Sequence, residues 1–278
     1  PIQWSNMLRS TTISSAQAFK YLAWFVVLLW VFTIFLQKTN LAASDLGRHV
    51  TNGKEIIASG QVFQNNHYSY TNPDYSVPNH HWLYGVLAWR LYQVGGFPLI
   101  TVVVAGCYWL GVVGMMVLSK KNNGDWATLL STVILIPIMT MRIETRPDAL
   151  SVLFLSTTIL ICHWVWRNQS LREILPAVGA LFVVTALWVN LHILFIVGLM
   201  VTASYLLHAF IRRSAEQTRK YAVLFVTQLA ACLINPLGIS TLFYPFLILR
   251  DYQYPVAENQ SVLFFLQNHP SATYWYLG

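Results

Sequence analysis

The side chains best suited to chemistry crowd into residues 44–83, SDLGRHVTNGKEIIASGQVFQNNHYSYTNPDYSVPNHHWL. This stretch holds Asp45, Glu55 and Asp74, together with four of the eight histidines, His49, His67, His80 and His81. Asp45 has Arg48 and His49 within one turn as ion partners. A carboxylate in a half-buried pocket serves well as a general base. Asp45 or Ser44 also reads as the N-cap of a helix that runs through Ile57 and is closed by Gly60, and one residue can fill both roles. The histidines invite a metal, but their spacing matches no ligand pattern, and the adjacent His80 and His81 would diverge on a helix. Interfacial, hydrogen-bonded histidines are the plainer reading.

Two shorter motifs add to this set. Arg142-Ile-Glu144-Thr-Arg146-Pro-Asp148 packs four charges into a few residues between apolar runs. Charge so near lipid must pair or line a watery cavity. One reading is an internal knot of Arg142 and Arg146 with Glu144 and Asp148, with Pro147 in the first turn of the next helix. The other is an anion site, because Arg forks bind phosphate bidentately. In Trp188-Val-Asn190-Leu-His192, Asn and His interrupt an apolar run; they either join helices or line the same cavity as the arginines. Asn235-Pro236-Leu-Gly238 is a helix-end and turn signal.

The elements that carry these residues belong to a membrane. The chain is 56% hydrophobic and only 10% charged, outside the range of soluble domains. Its apolar runs approach the ~20 residues that cross a bilayer. The expected fold is all-α and polytopic, with about seven transmembrane helices and a large first extracytoplasmic loop containing interfacial helices. Residues 1–20 read as a cytoplasmic segment and 21–37 as the first span, an uncleaved anchor. Residues 38–97 form the loop, 98–236 the helix bundle and 237–278 an interfacial C-terminal segment, with the chain a piece of a longer protein or its ordered part. Spans are expected at 99–118, 127–141, 149–166, 175–189, 191–211 and 221–234. A short helix over 82–94, ended by Gly95-Gly96, lies at the interface without crossing. Tyr244-Pro245 is expected to break a second interfacial helix.

Lys120-Lys121, then Arg167 and Arg172, then Arg212-Arg213 with Arg219-Lys220 fall in alternate links. The positive-inside tendency puts them in the cytoplasm and the loop, the 142–148 link and the 188–192 link on the opposite side. The net charge of +7 is thereby accounted for as topology marking, without nucleic-acid binding. Cys107, Cys162 and Cys232 lie in apolar runs and read as buried hydrophobes.

Taken in order, these motifs resemble a group of bacterial membrane proteins related to GT-C type glycosyltransferases. The resemblance rests on Asp45, Gly47, His49, Gly53, Ile56, Gly60, Ser69-Tyr70-Thr71, His81-Trp82-Leu83, Gly95-Gly96, Arg146-Pro147-Asp148, Trp188, Asn190, His192, Asn235-Pro236, Gly238 and Tyr244-Pro245. It implies transfer of a sugar from a polyprenyl-phosphate donor on the extracytoplasmic face of a bacterial cytoplasmic membrane. Asp45 would be the base. His49, His81, Arg142, Glu144, Arg146, Asn190 and His192 would bind substrate and its phosphate. No cofactor is called for, and a divalent cation is the one compatible addition; membrane lipid is the expected partner. The group carries an acid where this chain has Asn66-His67, His-Glu-Trp where it has His80-His81-Trp82, and Glu-Trp where it has Glu258-Asn259. These differences keep open an alternative, a non-catalytic subunit of a larger membrane assembly that partners other membrane subunits.

Overall fold

Apolar runs punctuated by Ser, Asp, Gly and Pro fold into helices throughout the computed structural model, which describes residues 14–36, 45–68, 70–72, 74–140, 143–167 and 170–247. In order these are α1 (Ser15–Phe35), α2 (Leu46–Ser59), α3 (Trp82–Asn123), α4 (Asp125–Thr140), α5 (Asp148–Arg167), α6 (Leu175–Leu191), α7 (Phe195–Ile211), α8 (Ala215–Cys232) and α9 (Ser240–Leu247). Apart from one isolated bridge between Asn65 and Ser76, the described residues are all-α. α1, α3 and α5 are long and apolar enough to cross a membrane; α4, α6 and α7 are apolar but shorter.

Local chemistry sets the helix limits. Ser14 and Gln17 cap α1 reciprocally, each side chain bonding the other's backbone N–H (3.2 and 3.1 Å). α2 buries Leu46, His49, Val50, Gly53 and Ile56 on one face and stops at Gly60, whose φ of 70° suits a residue without a Cβ. α3 is two limbs, 82–94 and 97–123, joined across Gly95 (φ −149°) and Gly96 (φ 63°). His192 is extended (φ −158°, ψ 144°), so the apolar run breaks there and α7 starts at Phe195, later than the span expected from 191. α9 continues through Pro245 to Leu247; the expected break at Tyr244-Pro245 does not occur.

Contacts sort the helix termini into two groups. At one, Lys20 of α1 and Lys120 of α3 flank Asp125 of α4 at 3.3 and 3.0 Å. Arg167 at the end of α5 donates to Asn122 at 3.4 Å. Gln217 of α8 donates to the Trp166 carbonyl of α5 at 3.3 Å, and Trp166 packs on His208 near the end of α7. At the other, Tyr84 donates to the Thr145 carbonyl just before α5 (3.1 Å) and Trp82 donates to Asn190 at the end of α6 (2.8 Å). Asn190 in turn donates to the Ile234 carbonyl beyond α8 (2.7 Å). The helices from the second limb of α3 to α8 therefore run alternately between a basic end and a histidine-bearing end. α2 and the first limb of α3 lie together at the latter, where Leu46 and Val50 share a buried cluster with Ala88 and Ile100.

α2 reaches the first limb of α3 at backbone distance. A Cβ on Gly53 would run into the Gly85 carbonyl and the Val86 nitrogen, and a Cβ on Gly85 would meet the His49 carbonyl at 2.9 Å. Gly47, on the same helix, faces open space. Gly53→Ala is expected to destabilise the protein by roughly 1–3 kcal/mol, the usual cost of overpacking. Gly47→Ala should be neutral or slightly stabilising, since Ala is the better helix former. Unfolding temperatures of the two variants in one detergent check this; equal shifts would contradict the close approach.

Candidate functional site

Four histidines from three segments meet at the histidine-bearing end. His49 comes from α2, His80 and His81 from the turn preceding α3, and His192 from the break after α6. The ring of His81 lies 3.9 Å from that of His80, 5.1 Å from His192 and 5.7 Å from His49, centroid to centroid. His49 also packs edge-on against Tyr84 at 4.9 Å, and His80 against Tyr244 at 4.7 Å. His80 and His81 do not diverge as they would within a helix, because α3 begins only at Trp82. His81 and His192 are nearly parallel (27°), so their rings face each other across a stack. Among the described residues no group of three or more His, Cys, Asp or Glu is arranged to hold a metal ion. His67 lies apart, stacked on Phe63 and paired with Glu55 at 2.5 Å.

A hydrogen-bond chain orients His192. Trp188 Nε1 donates to Ser151 Oγ at 2.8 Å, and Ser151 Oγ lies 2.6 Å from His192 Nδ1. The indole is a donor only, so the hydroxyl accepts from it, which leaves the hydroxyl proton available to Nδ1. In that tautomer the neutral imidazole carries its single N–H on Nε2, which faces Asp148 at 3.5 Å. Asp148 is thus a partner of His192, where the sequence suggested a knot with the arginines. Glu144 pairs with Arg146 at 2.6 Å. Asn190 accepts from Trp82 and donates to the Ala186 and Ile234 carbonyls, both at 2.7 Å, joining α3, α6 and the end of α8. Arg142 lies outside the described residues.

Asp45 sits at the edge of this cluster, one turn before His49. It occupies the N-cap position of α2 but makes no side-chain cap; its carboxylate accepts from Arg48 at 3.1 Å and is 57% exposed. Its backbone is left-handed (φ 53°), a conformation that costs a non-glycine residue energy and recurs at functional sites. The structure thus brings His49, His81, His192, Asn190 and the Glu144–Arg146 pair to one end, with Asp45 at its margin. The sequence singled out His80 among the histidines and Asp148 within the 142–148 motif without assigning them to the site, and it left out Ser151 and Tyr84. Tandem histidines before a tryptophan and the acid closing the 142–148 link were the available signals; Ser151 and Tyr84 carried none.

Burial dominates the electrostatics. It drives His49 down to about 3, helped by the charge of Arg48, and His80 down to about 4. His81 is held well below its ordinary value by burial and by the neighbouring His80, and its Nε2 has no hydrogen-bond partner among the described residues. Burial likewise lowers His192, although Asp148 works against it. At neutral pH the cluster is a set of uncharged imidazoles offering N–H donors. Comparison with family models, with curated proteins and with solved structures gives no match.

The unfolded chain takes up a proton at each histidine near pH 6.5, but the folded chain binds one at His80 only near pH 4 and at His49 near pH 3. Stability should therefore be complete above pH 6.5 and fall as the pH drops toward 4, by roughly 1.4 kcal/mol per pH unit per histidine. Thermal unfolding of the purified protein across this range measures it, and His49→Gln should flatten the slope. A midpoint unchanged between pH 7 and 4.5 would mean that the histidines are hydrated.

Proposed function

We propose that this chain is a membrane glycosyltransferase of the GT-C type that moves a sugar from a polyprenyl-phosphate donor to an acceptor hydroxyl. The observation that carries the reading is the convergence of His49, His81, His192 and the Glu144–Arg146 pair from separate segments, beside an exposed carboxylate at a strained position. The basic end of the bundle faces the cytoplasm under the positive-inside tendency, which turns the histidine end outward. Seven helical passages, α1, the second limb of α3 and α4 to α8, then span a bacterial cytoplasmic membrane. α2 and the first limb of α3 lie at the outer interface as a roof.

In this reading Asp45 takes the proton of the acceptor hydroxyl as its oxygen attacks the anomeric carbon from the face opposite the leaving group. The bond between that carbon and the phosphate oxygen breaks with its electron pair going to the phosphate, and configuration inverts. Arg146, held by Glu144, places positive charge where the leaving phosphate develops negative charge, while the neutral imidazole of His81 donates a hydrogen bond and His192, oriented by Ser151 and Asp148, stacks behind it. Preorganised donors in a water-poor site are the effective form of such stabilisation.

A second reading draws on a specific observation: Asp45 and Glu144 each already have an ion partner within the chain, Arg48 and Arg146, and Asp148 faces the neutral imidazole of His192. That self-sufficiency suits a non-catalytic subunit built on the same frame.

Transfer of sugar from synthetic polyprenyl-phosphate donors by the purified protein decides between them. Asp45→Asn should lower kcat by roughly 10²–10⁴, the usual worth of a positioned base. Full activity in Asp45→Asn would remove Asp45 from the chemistry. No transfer by the wild type, with activity in a co-purifying membrane protein, would favour the subunit reading.

A further inference from the structure

The basic end of the bundle holds a second feature that the proposed chemistry does not use. Between the second limb of α3, α5 and α6 lies a cavity of about 500 Å³, in the range of ligand-binding clefts. Its floor is apolar, with Val117, Leu160, Ala177 and Ala180 among its residues, and the two alanines keep it open against α6. Val117 (58% exposed) and Trp164 (45%) sit on its outer margin, so the trough opens sideways from the bundle, toward acyl chains in a membrane.

One end of this trough is cationic. Lys121, near the end of α3, and Arg167, the last residue of α5, both line it. No carboxylate among the described residues lies within ion-pair distance of either; the Asp125 carboxylate nearby is taken by Lys20 and Lys120. His163 lines the same end, and its Nε2, shielded from solvent, has no hydrogen-bond partner among the described residues. Three nitrogen-bearing side chains thus meet at the level where the helices end, above an apolar slot that faces lipid. Trp164 beside them marks the headgroup level at which indoles collect.

We infer that this trough binds an anionic phospholipid, its phosphate among Lys121, His163 and Arg167 and one acyl chain along Val117, Leu160 and Ala180. A soluble anion would satisfy the cations but leave the slot unfilled; a neutral lipid would fill the slot but leave the cations unpaired. Basic pockets between transmembrane helices on the cytoplasmic side are where anionic headgroups are held. The inference does not depend on the glycosyltransferase reading, since it concerns the opposite end of the bundle.

The test is native mass spectrometry of the full chain taken into mild detergent from nanodiscs of equal phosphatidylglycerol and phosphatidylcholine. The wild type should retain phosphatidylglycerol in preference. The double variant K121A/R167A should reduce that preference roughly thirtyfold, the worth of two basic residues near an anionic lipid. Exchanging the two, K121R/R167K, keeps both charges and should keep the preference. Ala180→Trp fills the slot while leaving the cations and should abolish retention; it also decides the matter if the double variant does not fold. Equal retention of both lipids, an unaltered preference in K121A/R167A, or retention in Ala180→Trp would overturn the proposal. So would displacement of the lipid by millimolar inorganic phosphate, which would make the site one for a free anion.

Discussion

Two helices touch backbone to backbone only where neither carries a side chain, and Gly53 against Gly85 supplies that contact here. Much of the histidine end depends on it. With α2 seated on the first limb of α3, His49 reaches His81 and Tyr84, and Leu46 and Val50 close over Ala88 and Ile100. Tyr84, from the same limb, then bonds the Thr145 carbonyl and fixes the approach to α5. Substituents at the contact would lift α2 and remove His49 from the cluster.

Polarity follows from the same arrangement. The described charges gather at the two ends of the bundle, and the interior between them is apolar apart from a few polar groups, such as the Ser151–Trp188 pair and Gln228 bonded to Thr185. The basic end is cationic and closed by shared carboxylates, as at Asp125. The other end is populated by imidazoles that burial keeps neutral. An uncharged cluster can be packed without the desolvation cost of ions, and it still presents N–H donors to an anion. Formal charge at this end is held in pairs, Arg146 with Glu144 and Asp45 with Arg48 at the solvent edge.

Much of this organisation was legible in the chain. Gly60 closes α2, Gly95-Gly96 bends α3, and the basic links fall in alternation because punctuation and topology are local properties. The 188–192 motif stood out because Asn and His cannot lie in an apolar run without partners. The partners themselves were not legible. Nothing near Asp148 indicates that it faces His192, and nothing in Ser151 indicates that it links Trp188 to that imidazole. Such pairings join segments far apart in sequence and are fixed by helix packing. The close, tilted contact of His80 with His81 was missed for a smaller reason, a helix that starts only after the pair and so does not splay the rings. The cationic trough was invisible because its walls come from three helices.

The central claim is that the histidine end receives a lipid-linked phosphate. A structure of the protein in lipid with a polyprenyl phosphate added tests it most directly. The account predicts a phosphate within hydrogen-bond distance of His81 Nε2 and the Arg146 guanidinium, with the prenyl tail leaving between helices and Asp45 facing the space beside it. A closed histidine stack with Arg146 still on Glu144, and the added lipid bound elsewhere or not at all, would contradict it.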